Sequence, residues 1–524
     1  AREAGATVVV VEKGNTKRSG AGGGGCDHFP AYVPEAHGPS IEPFINNPPP
    51  QYSAAGLPRL WWRTLLEKSP AMVELWDSWG ISMKHNGEYY FAGNVLPGET
   101  GPSWSLKYAG QDQKPILTRQ AKKSGAEIMN RVMVFDLLRD GDAVIGAIGV
   151  HTREDKMIEF HAKSVIVGTG VTKMLYPSST PTWMFNRSEP PSLTGDGKAM
   201  IFRAGAELSN MHMAGRGSGP KYFPRQGKRT WVAVVRDSDG KAIGPFVTKP
   251  DKKYGDPAVY MHATLFEDYA KTGKGPVYMS CRGISDEDLE EQTHWLIHEG
   301  NTATLDHLKE EGIELQKNDV EFGTYELQSG GRTRTNVNGE TSVKGLYSPA
   351  MGGVSGAAVF GSISGEHAAK YALEGASEPD FSKTESEIEK LSNSVDRILS
   401  RETGATWKEV MSALQQTMLD YAGAVRSESS LKAGLNHLRR LREKAHNTIR
   451  AANQHELIHS LEAFNLLDIG ELVFISALER KETRGNHVRT DYPFANPLMN
   501  KPLICKKVGD KPVTEWAEID GERS

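Results

Sequence analysis

Glu12 closes a run of β-branched residues, Val8 to Val11, and the tract Gly20-Ala21-Gly22-Gly23-Gly24-Gly25 follows soon after. An acidic side chain at the end of the second strand of a dinucleotide fold accepts hydrogen bonds from the adenosine ribose hydroxyls. Residues without Cβ let backbone amides come close to a flat ring or a pyrophosphate. Each signal alone has a plain structural reading, because strands often end in Glu and glycine tracts often form surface loops. Their succession favours the dinucleotide reading.

Three further segments have the same character. Val165-Ile166-Val167-Gly168-Thr169-Gly170 reads as a buried strand ending in a small-residue turn, as where a sheet meets a cofactor. In Thr194-Gly195-Asp196-Gly197 the threonine is expected to cap the following helix, and the glycines permit close backbone contact. Gly352-Gly353-Val354-Ser355-Gly356 precedes a helix whose N-terminal dipole end suits the electron-rich edge of a reduced flavin. A tightly packed helix without a ligand is the alternative. Among the polar residues, Arg216, Arg282, Arg332 and Arg334 could bind an anionic substrate, and Glu326, His212 and His262 could relay protons. For any one such arginine, a solvated or salt-bridged surface role is the commoner outcome.

The elements that must hold these residues divide a chain too long for one core. At 524 residues it should form two to four domains. A net charge of -4 without a basic block makes nucleic acid an unlikely partner. Cys26, Cys281 and Cys505 lie far apart, which excludes a disulfide scaffold and an iron–sulfur cluster held by this chain; no metal-ligand set stands out. No run of about 18 apolar residues is present to span a bilayer. The opening, Ala1 to Ala6, reads as the tail of a helix feeding a strand, so the first strand and its glycine-rich turn are expected to be missing.

Val8 to Val11 should be a parallel strand buried on both faces. Arg131 to Val167 reads as a β-meander returning to the main sheet, and the polar stretch from Gly217 to Gln328, with helices near Val259 to Lys271 and Asp286 to Glu311, as a second unit interrupting the first. A long helix is expected from Ser355 to Leu373. After Ser377, apolar spacings of three and four residues predict a helical domain, with strand-like runs between Leu503 and Trp516.

In order, Ala4-Gly5-Ala6 to Glu12-Lys13, Arg18-Ser19, Thr194 to Gly197, Ala204-Gly205-Ala206-Glu207, Gly345-Leu346-Tyr347, Arg426 to Leu431, Asn465-Leu466-Leu467 and Glu479 to His487 resemble the flavoprotein subunits of the fumarate reductase, succinate dehydrogenase and adenylylsulfate reductase group. The resemblance spans nearly the whole chain. It implies an α/β fold: a split FAD-binding, Rossmann-like domain (1–216 and 329–376), an inserted capping domain (217–328), a helical domain (377–490) and a C-terminal tail (491–524). It implies FAD held at Glu12, Lys13, Arg18, Ser19, Gly20, Gly24, Gly25, Thr169, Gly170, Thr194, Asp196, Gly353, Ser355 and Gly356. Gly20 stands where covalent members carry His, so non-covalent FAD is expected.

The family's substrate residues are largely replaced. Glu326 takes the place of the fumarate-binding His, the carboxylate clamp after Gly353 is shortened, and no Arg stands near Val259 for proton donation. The expectation is therefore a FAD-dependent oxidoreductase that exchanges a hydride with a small anionic substrate, with Arg282, Glu326, Arg332 and His262 as catalytic candidates. Electrons would pass to or from an iron–sulfur partner, in the cytoplasm or at a membrane through that partner. A true fumarate or succinate enzyme and a silent FAD-binding scaffold are the alternatives.

Overall fold

The computed structural model describes residues 1–46, 59–91, 104–178, 187, 189–221, 230–243, 248–250, 252, 269, 271–349 and 351–518. The β-branched runs of the sequence become two short parallel pairs. Val9–Glu12 lies beside Glu127–Asn130, and Leu346–Tyr347 beside Val165–Ile166. Each pair is a separate two-stranded sheet among the described residues. Burial of the first strand on both faces is therefore not achieved: Val9 is 42% exposed, and Ile166 in the other pair 40%.

The expected meander is an antiparallel sheet of Val132–Asp140, Ala143–His151 and Met157–His161. It joins the second parallel pair through the Val144 N–H, which donates to the Lys344 carbonyl at 2.9 Å. The inserted unit is a four-stranded antiparallel sheet in the order Ala214–Pro220, Val320–Ser329, Val277–Ser280, Val234–Arg236. It has its own core of Trp231, Val277, Met279, Leu296 and Phe322. The run from Asp286 to Glu311 forms two helices, Asp286–His298 and Thr302–Glu310, because Gly300 turns the backbone to a φ of 89° between them. Ser285 caps the first by accepting the Asp288 N–H at 3.1 Å. Of the helix expected over Val259 to Lys271, all but residues 269 and 271 lies outside the described residues.

The glycine-rich helix runs Val354–Lys370 and continues as a wider turn, Tyr371–Gly375. Its Val359 and Phe360 pack against Trp61, Trp62, Leu65 and Leu66 of the helix Arg59–Ser78. Four helices follow, Glu385–Ser400, Trp407–Ala422, Glu428–Thr448 and Gln454–Glu479. The last is apolar nearly all round and forms the centre of this unit, as expected of a helix buried on every face. Gly470 permits the close approach, since a Cβ there would stand 2.7 Å from a Leu438 methyl. The tail folds back as a hairpin, Leu503–Val508 with Lys511–Trp516, and joins Leu208–Ser209 and Arg332–Thr333 in one sheet.

Candidate functional site

Glu12 ends its strand with one carboxylate oxygen accepting the Gly14 N–H at 2.7 Å, which fixes the side chain at the start of the Lys13–Gly20 loop. Two hydroxyls of that loop, Thr16 Oγ1 and Ser19 Oγ, are buried with no hydrogen-bond partner among the described residues. Orphaned buried hydroxyls demand a polar partner. A dinucleotide's ribose and phosphate oxygens would meet that demand, so the loop fits FAD.

Lys13 is drawn the other way. Its Nζ donates to Thr194 Oγ1 at 3.0 Å, Asp196 Oδ2 at 2.7 Å and Glu462 Oε1 at 2.6 Å. Burial alone would lower the pKa of this ammonium, but the two carboxylates hold it above its ordinary value. Asp196 also accepts from Asn465 Nδ2 at 2.8 Å. Thr194 does not cap the next helix: the N-cap is Gly195 at φ 74°, and the Thr194 hydroxyl turns instead to Asp196 Oδ1 at 2.9 Å. The carboxylate two residues on is the stronger acceptor. Thr169 accepts the Gly197 N–H at 3.0 Å, linking its turn to this helix start, and Gly170 sits at φ 81°.

The glycine tract is packed rather than loose. Ala21–Gly23 is a single 3-10 turn. A Cβ on Gly23 would stand 2.0 Å from the Arg18 carbonyl oxygen, and one on Gly25 2.3 Å from that of His298. The inserted unit therefore seats directly on the tract. Gly20 is open at φ 73°, and Arg18 is 58% exposed beside Asp112. Gly353, at φ 80°, caps the helix in which Ser355 and Gly356 are buried.

Just past the tract lies a buried charged cluster that no sequence motif announces. Asp27 Oδ2 accepts from Lys107 Nζ at 2.6 Å and Thr230 Oγ1 at 2.8 Å, while Asp27 Oδ1 pairs with His28 Nδ1. The Asp27 N–H donates to Glu299 Oε2 at 3.1 Å. Burial would raise the Asp27 carboxyl, but His28 and Lys107 hold it well below the usual range. Asp27, His28 and Glu299 are near enough to share a divalent cation. Lys107 already supplies a cation to Asp27 there. Asp27 and His28 are neighbours in the chain, whereas Lys107, Thr230 and Glu299 come from remote positions.

The catalytic candidates are dispersed. Glu326 is buried on the strand Val320–Ser329 and acts electrostatically on buried Lys173 and Arg187. Arg332 lies on the next strand, 4.9 Å from the centre of the Trp61 ring, and burial lowers its pKa to about 10. Arg282 is 58% exposed and paired with Asp319 at 3.0 Å. Arg334 pairs with Glu207 at 2.8 Å. His212 is enclosed by Arg480, His487 and Arg426, and burial together with the two arginines holds it well below its ordinary pKa, a poor setting for taking up a proton. His262 and the side chain of Arg216 lie outside the described residues.

A family profile described as "FAD binding domain" matches residues 1–364, and one described as "Fumarate reductase flavoprotein C-term" matches residues 411–506. The chain is 23% identical to a fumarate reductase (CoM/CoB) polypeptide of Methanothermobacter marburgensis, over 96% of this chain and 93% of that protein. Among solved structures, adenylylsulfate reductase from Archaeoglobus fulgidus superposes with a TM-score of 0.82 at 21% identity, covering 98% of this chain and 91% of that one. The E. coli quinol fumarate reductase superposes with a TM-score of 0.80 at 16% identity, covering 98% and 92%.

Proposed function

The chain belongs to the FAD-binding flavoprotein family of the fumarate reductases and is a FAD-dependent oxidoreductase; from that premise we propose that it oxidises or reduces a small anionic substrate and exchanges electrons with a separate iron–sulfur protein. FAD, when bound, supplies a hydride-exchanging position at N5. The observation that carries the anionic reading is Arg332, a largely buried guanidinium laid over the Trp61 indole. A planar fork of donors stacked on an aromatic ring is pre-organised for a carboxylate or another planar or tetrahedral oxyanion. Glu326, a buried carboxylate within electrostatic reach of Lys173 and Arg187, is our candidate for the proton-relay group.

The iron–sulfur partner is supported by what the chain's own cysteines do. Cys281 lies against Gln292 and Cys505 against Ser476, each buried, and neither these two nor Cys26 is in a disulfide. Electrons leaving the flavin need an acceptor elsewhere. Among the described residues no helix is long and apolar enough to cross a membrane. The test is anaerobic mixing of the FAD-loaded protein with panels of small carboxylates, sulfonates and neutral alcohols while flavin absorbance is followed. Bleaching by anionic compounds alone supports the reading. Bleaching by neutral ones, or reoxidation by no iron–sulfur protein, overturns it.

A further inference from the structure

We infer that Glu462 and Asn465 of the helix Gln454–Glu479 are positioning residues of the FAD site, acting through Lys13 and Asp196 across the junction between the helical unit and the first parallel strands.

The argument begins with the spacing. His459, Glu462, Asn465, Asp468 and Glu471 recur every three residues along this helix, a polar row on an otherwise apolar element. Most of the row is buried: Glu462 is 3%, Asn465 2%, Asp468 7% and Glu471 5% exposed. A buried row of this kind costs desolvation at every step unless each group is paired. The pairs divide into two sets. Glu471 binds Arg439 and Arg442, both on the neighbouring helix Glu428–Thr448 of the same unit. Glu462 and Asn465 instead reach the other unit: Glu462 Oε1 takes Lys13 at 2.6 Å, and Asn465 donates to Asp196 at 2.8 Å. Asp468 spans both sets, through Arg203 at 2.8 Å and Arg442.

Lys13 follows Glu12 directly and opens the loop that carries Thr16 and Ser19, whose buried hydroxyls await a partner. A lysine at this point invites assignment as a phosphate ligand. Its three ammonium hydrogens are matched by Thr194, Asp196 and Glu462, so its charge is spent on holding the loop. Burial would raise the Glu462 carboxyl, yet Lys13 and His459 bring it below its ordinary range, in keeping with a charged bridge. Removing the Glu462 charge leaves Lys13 with one carboxylate and frees the loop to shift. FAD affinity should register that shift before overall stability does, because the loop is short and the helix is held by its other pairs.

The test compares E462Q with E471Q, one row position set against another, on the full chain with FAD removed and added back. FAD affinity is read by flavin fluorescence quenching, and apoprotein stability by thermal unfolding. E462Q should weaken FAD binding about tenfold or more, whereas E471Q should lower the melting temperature and leave FAD affinity within about twofold. K13M combined with E462Q should weaken FAD binding by less than the two single changes together, since both break one bridge. Unchanged affinity in E462Q, an equal loss in E471Q, or full additivity with K13M would each overturn the inference. Should E462Q fail to fold, N465L with the same readout replaces it; an affinity equal to the unaltered protein's would again overturn it.

Discussion

Lys107 Nζ stands 2.6 Å from Asp27 Oδ2, with the lysine side chain 3% exposed and the aspartate fully buried. The pair lies where the glycine tract meets the inserted unit, and Thr230 and Glu299 of that unit bond the same aspartate. K107M leaves a buried carboxylate without its ammonium, which typically costs about 3–5 kcal/mol. Denaturant unfolding should show a loss of that order. D27N with K107M together should recover part of it, since the uncompensated charge is gone; a double variant as unstable as K107M would contradict the assignment.

His487 predicts a pH dependence. Arg426 Nη1 donates to its Nδ1 at 3.2 Å, and its Nε2 donates to the Arg480 carbonyl at 3.1 Å, which fixes the neutral ring. Burial and the nearby arginines lower its pKa to about 3, against 6.5 when unfolded. The folded pKa is depressed, so below 6.5 the unfolded state takes up the proton first and stability falls with pH until the folded pKa is reached. Between pH 7 and pH 5 this one group removes on the order of 2 kcal/mol. His212, also depressed, acts in the same direction. H487Q should be less stable at pH 7, yet lose less on going to pH 5, as read from unfolding midpoints across that range. A parallel pH dependence for both proteins would remove His487 from the account.

The layout of the fold could be read from periodicity because periodicity reports local burial. The three-and-four spacing through Val395, Ile398, Met411, Leu414 and Met418 gave the helical unit, and all five are core residues. The turn at Asp140-Gly141-Asp142 gave the meander. What could not be read was pairing between remote positions. Nothing local joins Lys13 to Glu462, or Asp27 to Lys107 and Glu299, since each bond is made only when separate units close on one another. The same limit misplaced the Thr194 hydroxyl, whose local capping preference yields to the charged network around Asp196. Arg282 and Arg332 looked alike in sequence; exposure separates them, one on the surface with Asp319 and the other against Trp61.

Arg332 should therefore matter to substrate and Arg282 should not. With any anionic compound that bleaches the flavin, R332A is expected to raise KM or lower kcat/KM by about 100-fold, the loss of roughly 2.7 kcal/mol from a charge-assisted contact. R332K keeps the charge without the planar fork and should fall between. R282A should stay within about twofold, because its surface ion pair contributes little. Steady-state kinetics on the three variants decide the matter, and a larger effect at Arg282 would move the substrate site to the outer face of the inserted unit.

Gly25 and Gly20 belong to one tract but face different constraints, and the contrast separates backbone strain from close packing. Both have positive φ, 124° and 73° respectively, and Gly20 combines it with an extended ψ of −179°, so an alanine at either is strained by about 1–3 kcal/mol. At Gly20 nothing lies within 4 Å of the added Cβ. G20A should lose about that much stability and no more. At Gly25 the Cβ would stand 2.3 Å from the His298 carbonyl oxygen and 3.2 Å from the Gln111 Cα, both backbone. Neither neighbour can rotate away, so the inserted unit must lift from the tract or the alanine chain must not fold. Limited proteolysis and thermal unfolding of the two variants should show G20A close to the unaltered protein and G25A cleaved faster within the 271–349 segment. Equal behaviour of the two would mean that the tract does not carry the inserted unit, and that its glycines serve the turn alone.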